Sequence, residues 1–288
     1  ARSIEDQARI YALRIVLYTT LGEFTAAIEA GQRGLQLFDV DLPALEHERK
    51  AALDAELVRM ESTRAGRSME ELLAAPEMSA PEQLTVSKLL MDLVAPAYFT
   101  SPTLFALLAM RMVNLTQQHG NCETSSYGYI TYGFLLAAAM GRPAEAYAFG
   151  RLGLALQEKF NCQSLECKLK FVFGIYQHLC KPLRTAMPYL MQALQSGLES
   201  GDLAYASFAC HHLGFTRLGL GDELSAVGEE VDRYLSLMQK TKDMVSLRTL
   251  TTEALLNLDN PTQQPRTLIV SVTATTGTGA VMPAKVSK

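Results

Sequence analysis

The sequence predicts an all-α protein built as a right-handed superhelix of antiparallel helix pairs, because its residue types recur with a period of about 40. Turn residues fall at this spacing at Gly141, Lys181 and Gly221. An alanine follows each turn by five positions, and a larger apolar residue follows the alanine by eight: Ala146, Ala186 and Ala226, then Leu154, Leu194 and Tyr234. The same internal spacing occurs near the start, at Gly22, Ala27 and Leu35. One helix pair cannot bury its apolar face alone, so we expect neighbouring pairs to stack.

Apolar residues at three- and four-residue steps define each unit as a helix, a short turn and a second helix. One helical face near the start carries Ile4, Ala8, Tyr11, Ile15 and Tyr18, and Gly22 ends that helix. The pattern predicts first helices near 4–20, 43–61, 82–98, 123–140, 164–180, 203–219 and 244–258. It predicts second helices near 23–38, 67–75, 102–118, 143–159, 183–199 and 223–239.

The stretch between Gly22 and Gly141 is less regular, and we expect it to keep the same phase, with turns near positions 62 and 101. Gly66 and the pair Ser101–Pro102 lie close to those positions. A serine hydroxyl accepts a hydrogen bond at a helix start, and proline has a helical φ at the first position. Ser101 is therefore predicted to cap a helix that begins at Pro102.

Glycines recur inside the predicted helices as well. The segment A-x-x-x-G-x-x-G-L-x-L occurs at Ala27–Leu37 and again at Ala146–Leu156. A glycine within a helix costs about 1 kcal/mol relative to alanine, so its presence needs a compensating contact. We expect these glycines to mark places where neighbouring helices approach too closely for a side chain.

The helical pattern predicts one repeat domain over residues 1–259 and a flexible tail over 260–288. The tail contains no acidic residue, carries three prolines and is rich in Thr, Gly and Val. The chain begins at Ala1, without a methionine and already inside a helical pattern. We therefore interpret it as a fragment of a longer protein.

Composition indicates an ordinary globular protein, with 48% hydrophobic and 19% charged residues and a net charge of −4. It has no excess of basic residues, so we expect neither a nucleic-acid nor an anionic-membrane partner. Its longest apolar runs fall far short of the roughly 20 residues that a membrane span requires. The five cysteines show no disulfide spacing, which favours a reducing, cytoplasmic setting.

Several segments resemble known families. The turns at Gly22–Ile28 and Gly141–Tyr147 resemble second-helix starts of tetratricopeptide repeats, whose period is 34. Four further segments are similar to the helical region of large multidomain signalling proteins: Leu89–Phe105, Met112–Asn121, Ser125–Gly133 and Ala146–Leu156. In that family a serine/threonine kinase domain and a nucleotide-binding ATPase domain precede the region, and a GAF domain with a histidine kinase often follows. The resemblance covers about residues 4–258.

The chain carries no kinase or ATPase motif of its own, since it lacks both G-x-x-x-x-G-K-[ST] and an H-R-D or D-F-G set. Its cysteines and histidines have spacings that match no standard zinc site. The sequence therefore predicts no catalysis, no cofactor and no metal within these residues.

In tetratricopeptide arrays the first helices line a concave groove, and this resemblance implies binding positions here. The candidate groove residues are Arg9, Thr131, Lys168, Phe171, His178, His211 and Phe215. These cationic, histidine and aromatic side chains suit a peptide or a small anionic ligand. The alternative interpretation of the two histidines at 211 and 212 is that they are partly buried packing residues.

A second group of residues suggests a pocket between helices instead. An aromatic cluster follows a polar helix start, and its candidate residues are Asn121, Ser125, Tyr127, Tyr129 and Tyr132. Such tyrosines are more often core residues.

The expected function is that of a regulatory or interaction region of a signalling ATPase and kinase, which contacts a peptide, a protein or a neighbouring domain through the groove. One alternative is a small-molecule sensor with a pocket between helices. A second is a passive scaffold or oligomerisation spacer.

Overall fold

The computed structural model describes residues 3–64 and 66–241, and this part of the chain is all-helical. Its α-helices are α1 (Ile4–Thr20), α2 (Phe24–Gln36), α3 (Glu46–Arg64), α4 (Met69–Leu73), α5 (Pro81–Thr100) and α6 (Pro102–His119), followed by α7 (Glu123–Ala138), α8 (Pro143–Phe160), α9 (Glu166–Gln177), α10 (Met187–Ser200), α11 (Leu203–Leu220) and α12 (Leu224–Thr241). The predicted helix over 244–258 and the predicted tail over 260–288 lie outside the described residues.

Most helices pack in the order that stacked pairs require. Each first helix contacts its second helix, as in α1 with α2, α5 with α6, α7 with α8, α9 with α10 and α11 with α12. The second helices α2, α6, α8 and α10 also contact the following first helix of this series, and the first helices contact one another in the order α1, α5, α7, α9, α11. The side on which these first helices contact one another is called the inner side below.

Helices α3 and α4 differ from the expected regular pair. The pair α1–α2 packs directly on α5, while α3 makes its main contacts with α6, and α4 packs on α8. A buried polar contact holds α3 in place, because the Asn114 amide donates to the Glu56 carboxylate at 2.7 Å and to the Glu56 carbonyl at 3.0 Å. Helices occur near the predicted positions, but α3 and α4 do not pack against each other as one regular pair of the stack.

Local signals in the sequence set the helix ends. Gly22 and Gly141 adopt φ values of 74° and 62°, the left-handed region that glycine enters without a steric penalty. The Ser101 hydroxyl accepts a hydrogen bond from the Leu104 N–H at 3.1 Å, and Pro102 occupies the first turn of α6. The predicted cap at Ser101 is confirmed.

The glycines inside α2 and α8 lie where helices approach closely. A Cβ atom on Gly150 would come within 2.3 Å of the Tyr176 hydroxyl and 2.4 Å of the Phe173 ring, both on α9. A Cβ on Gly31 would meet Leu93 of α5 at 2.3 Å. These distances are shorter than any van der Waals contact, so close packing explains why helix-destabilising glycines occupy these positions.

Replacing Gly150 by Leu should destabilise the protein, because the added side chain has no space between α8 and α9. We expect a loss of about 3 kcal/mol from overpacking. At this chain size such a loss corresponds to a fall of roughly 6 °C or more in melting temperature, which differential scanning calorimetry measures. Ala144→Leu is the matched control, since Ala144 is exposed on the same helix. Equal melting temperatures for the two variants would contradict the packing argument.

Candidate functional site

The inner faces of the first helices meet through aromatic side chains. The rings of Phe99 on α5 and Phe208 on α11 lie 5.7 Å apart between centroids, and Phe171 of α9 lies 5.9 Å from Phe208. Phe24 of α2 stacks on Phe99 at 4.7 Å. Helices that are distant in sequence therefore touch one another on the inner side.

A cavity of about 350 Å³ lies on the inner side, between α1, α5, α9 and the junction of α10 with α11. Its polar and charged lining residues are Thr19, Thr20, Asp92, Ser164, Lys168, Ser200 and Asp202. The remaining lining residues are Val16, Met91, Ala95, Gly201, Leu203, Ala204 and Tyr205. It combines an apolar surface with a few convergent polar groups, as ligand sites do.

Asp92 is the most deeply buried charge of this cavity. Its side chain is 4% exposed and forms an ion pair at 3.3 Å with Lys88, which is 57% exposed. Burial raises the pKa of Asp92, while the nearby charges of Lys88 and Lys168 act in the opposite direction. The site thus disfavours the charged form of Asp92 relative to water, because its cationic neighbours offset only part of the effect of burial.

Lys168 and Asp202 form a second ion pair that ties α9 to the start of α11. The Lys168 ammonium also lies over the ring of Tyr205, 4.1 Å from its centroid. Asp202 caps α11 by accepting the Tyr205 N–H at 3.4 Å. Beneath the cavity, the Tyr205 and Tyr127 hydroxyls share a buried hydrogen bond of 2.7 Å. Burial raises the pKa of both tyrosines, so both remain protonated.

The structure separates the predicted groove residues. Lys168 lines the cavity, whereas Arg9 is exposed on α1 and is not part of the lining. Thr131 is buried on α7. The other members, Phe171, His178, His211 and Phe215, lie further along α9 and α11.

These further residues form an aromatic and histidine cluster. Phe171 packs against His212 at 5.3 Å between ring centroids, and His211 lies 5.0 Å from His212 and 5.4 Å from Phe215. His178 is close enough to lower the pKa of His212. The packing interpretation of the two adjacent histidines agrees with this geometry.

The five candidate residues of the second group are buried side chains of the core. The Asn121 amide donates to the Leu72 carbonyl at 2.8 Å and so holds the end of α4. The Ser125 hydroxyl accepts the Cys122 N–H at 2.9 Å. Tyr129 and Tyr132 pack on Phe149, with ring centroids 5.8 and 4.9 Å away. Tyr127 approaches the cavity only through its hydrogen bond to Tyr205.

Two residues of the cavity were missed by the sequence reasoning. Asp92 is the single charged residue in the segment Leu89–Phe105, and a lone carboxylate in an apolar helix was a detectable signal. Asp202 follows a serine and a glycine and precedes an apolar helix, which is the pattern of a helix cap.

A larger depression of about 710 Å³ lies between α2 and the segment that leads into α3. Its charged lining residues, Asp41 and Glu48, are both exposed. It therefore offers ordinary solvated surface, and the inner cavity is the better candidate for a site.

The cysteines are poorly suited to nucleophilic chemistry. Burial raises the pKa of the Cys162 thiol to about 11 and those of Cys167 and Cys210 to about 12. Within residues 3–64 and 66–241, no three His, Cys, Asp or Glu side chains lie together as a metal site would require.

Comparison with known proteins gives a partial match. No family model matches the chain. Hybrid signal transduction histidine kinase G of Dictyostelium discoideum is 26% identical over 146 residues, which are 48% of this chain and 4% of that protein. The chain thus spans only a small part of the length of this relative. It is similar to a region of a signalling protein.

In the part of the chain that the structure describes, none of the helices combines the length and the apolar character of a membrane span.

Replacing His212 by Phe should make stability less dependent on pH. Burial, and then the charges of His211 and His178, lower the pKa of His212 well below its usual value. Folded His212 therefore stays neutral, while His212 of the unfolded chain gains a proton below a pH of about 6.5. This protonation stabilises the unfolded state, so the free energy of unfolding decreases as the pH falls.

We expect the free energy of unfolding of the wild type to fall by about 1 kcal/mol more than that of His212→Phe between roughly pH 7 and pH 5. The expected difference is moderate because the His212 side chain is only partly buried. Urea unfolding at both pH values measures this difference. The control is His47→Phe, at an exposed position of α3, which should keep the wild-type pH dependence. An unchanged pH dependence in His212→Phe would refute the assignment.

Proposed function

We propose that this chain is a non-catalytic regulatory region of a signalling protein and that its inner cavity binds a small ligand. The observation that carries the proposal is Asp92, a buried carboxylate that lines a cavity and, among the residues that the structure describes, has one largely exposed ion-pair partner. Burying such a charge is costly unless it is paired, so its position inside a cavity suits a ligand. The partial similarity to a signal transduction histidine kinase supports the regulatory context.

We further infer that the helix pairs form a right-handed superhelix of the tetratricopeptide kind. Two observations support this: the second helices contact the following first helices, and α1, α5, α7, α9 and α11 contact one another in order. In such an array α1 and α11 face each other across the inner side, and both contribute to the cavity wall.

The mechanism follows from the position of the cavity. A ligand that touches α1 on one side and α9 and α11 on the other stabilises the arrangement in which these helices are close. Ligand binding then changes the curvature of the array and the contacts available to neighbouring domains. This coupling requires that the ligand bind the two arrangements with different affinities.

A second candidate function is a protein or peptide contact through α1. Leu13, Val16 and Leu17 share one side of α1 and are 71%, 51% and 55% exposed. Neighbouring apolar side chains on a surface favour a partner. Self-association in light scattering, abolished by Leu13→Lys, would favour this candidate over the first.

Filling the cavity should abolish ligand binding. Ala95 lies on α5 in the cavity wall, so Ala95→Leu introduces three carbon atoms into the ligand space. We expect at least one member of a panel of common metabolites to stabilise the wild type. A ligand at about 100 times its Kd contributes about 2.7 kcal/mol, a rise of roughly 5 °C or more by thermal shift.

Ala95→Leu should lose this rise, and the exposed Ala144→Leu should keep it. A panel without any stabilising compound, or an undiminished rise in Ala95→Leu, would contradict the proposed function.

A further inference from the structure

The cavity lining carries more negative than positive charge, and this excess affects which ligands the cavity can bind. Its lining contains three charged side chains, Asp92, Lys168 and Asp202. Lys168 and Asp202 are already paired with each other, so their charges largely cancel. Asp92 remains as the carboxylate whose charge the lining itself does not balance.

Lys88 compensates Asp92 only in part. Its ammonium lies 3.3 Å from Asp92, but the lysine is 57% exposed, so water screens its charge. The raised pKa of Asp92, caused mainly by burial, agrees with incomplete compensation. A cation inside the cavity that contacts Asp92 directly would interact with this carboxylate more strongly than the water-exposed ammonium of Lys88 does.

Two of the neutral polar groups in the same lining favour a donor as well. The hydroxyls of Thr19 and Thr20 donate to the carbonyls of Ile15 and Val16, at 2.7 and 2.9 Å. Their hydrogens are therefore committed, and each oxygen remains available to the cavity as an acceptor. An ammonium group brings three N–H donors and no acceptor, which matches a carboxylate with hydroxyl oxygens nearby.

The rest of the wall is apolar. Val16, Met91, Ala95 and Leu203 contribute hydrocarbon surface to the cavity. A ligand that fills it therefore gains from carrying an apolar body beside its charged group.

We propose that the cavity binds a small organic amine, with the ligand ammonium paired to Asp92 and its apolar body against Val16, Met91 and Ala95. This inference rests on the proposed ligand-binding function and specifies the ligand class. A carboxylate ligand would face both Asp92 and Asp202, and an uncharged ligand would leave Asp92 enclosed without further compensation.

Three compounds that share one phenyl ring test the assignment by isothermal titration calorimetry. Phenethylamine carries only the amine, hydrocinnamate carries only the carboxylate, and phenylalanine carries both. The expected order of affinity is phenethylamine, then phenylalanine, with no binding of hydrocinnamate. Tighter binding of hydrocinnamate or phenylalanine than of phenethylamine, or no binding of any of the three, overturns the amine assignment.

Two substitutions that each remove one charge should have opposite effects. Asp92→Asn keeps the shape of the side chain and should weaken phenethylamine binding about thirtyfold or more. Lys168→Gln removes the positive charge of the lining and should tighten it. The control is Asp54→Asn, at an exposed position of α3, which should bind like the wild type. Melting curves establish that each variant is folded.

Unchanged phenethylamine affinity in Asp92→Asn, or weaker binding in Lys168→Gln, overturns the inference. The proposed function is tested separately by the metabolite panel and Ala95→Leu. If hydrocinnamate binds and Ala95→Leu prevents it, the cavity is a ligand site and only the amine class is wrong. If neither the panel nor the three probes bind, both the function and the inference fail.

Discussion

The contact between Phe99 on α5 and Phe208 on α11 determines what kind of site this protein has. Stacked helix pairs of the sort predicted by the sequence leave a groove along their first helices. Here the two rings approach to 5.7 Å between centroids, and Phe24 and Phe171 pack around them. The inner faces are thereby joined, and the remaining space is a cavity of about 350 Å³. A cavity of this size suits a small molecule better than an extended peptide.

The two walls of the cavity are held by different kinds of contact. On one side, the Lys168–Asp202 ion pair, the cap that Asp202 provides for α11 and the Tyr127–Tyr205 hydrogen bond connect α7, α9 and α11. On the other side, α1 contributes Val16, Thr19 and Thr20 and packs on α2 and α5. A ligand that binds Asp92 and touches α1 would therefore contact both walls of the cavity at once.

Much of the secondary structure follows from local sequence signals. Gly22, Gly141 and Ser101 end or begin helices for reasons that are visible in the chain itself, and Gly150 predicts a close helix contact that the structure contains. The packing of α3 and α4 was not predictable in this way, because periodicity shows that a helix is amphipathic but does not identify its partner. Glu56 and Asn114, which join α3 to α6, are 58 residues apart.

The candidate site was predictable only in part for the same reason. Lys168 lines the cavity, and its prediction as a binding residue comes from helix geometry alone. The tyrosines at 127, 129 and 132 also lie on a predicted helix, but only the packing of neighbouring helices decides that they are buried. Identifying Asp92 as a site residue requires both the sequence and the tertiary structure. The sequence shows a lone carboxylate in an apolar segment, and only the packing of the helices shows that it lines a cavity.

The most direct test of this account is a double-mutant cycle that combines Phe99→Leu with Phe208→Leu, followed by urea unfolding. If the rings touch and close the inner side, the two substitutions should be coupled by about 1 kcal/mol, as expected for an aromatic pair. Strictly additive effects on the free energy of unfolding would show that α5 and α11 do not meet and that the inner side is open.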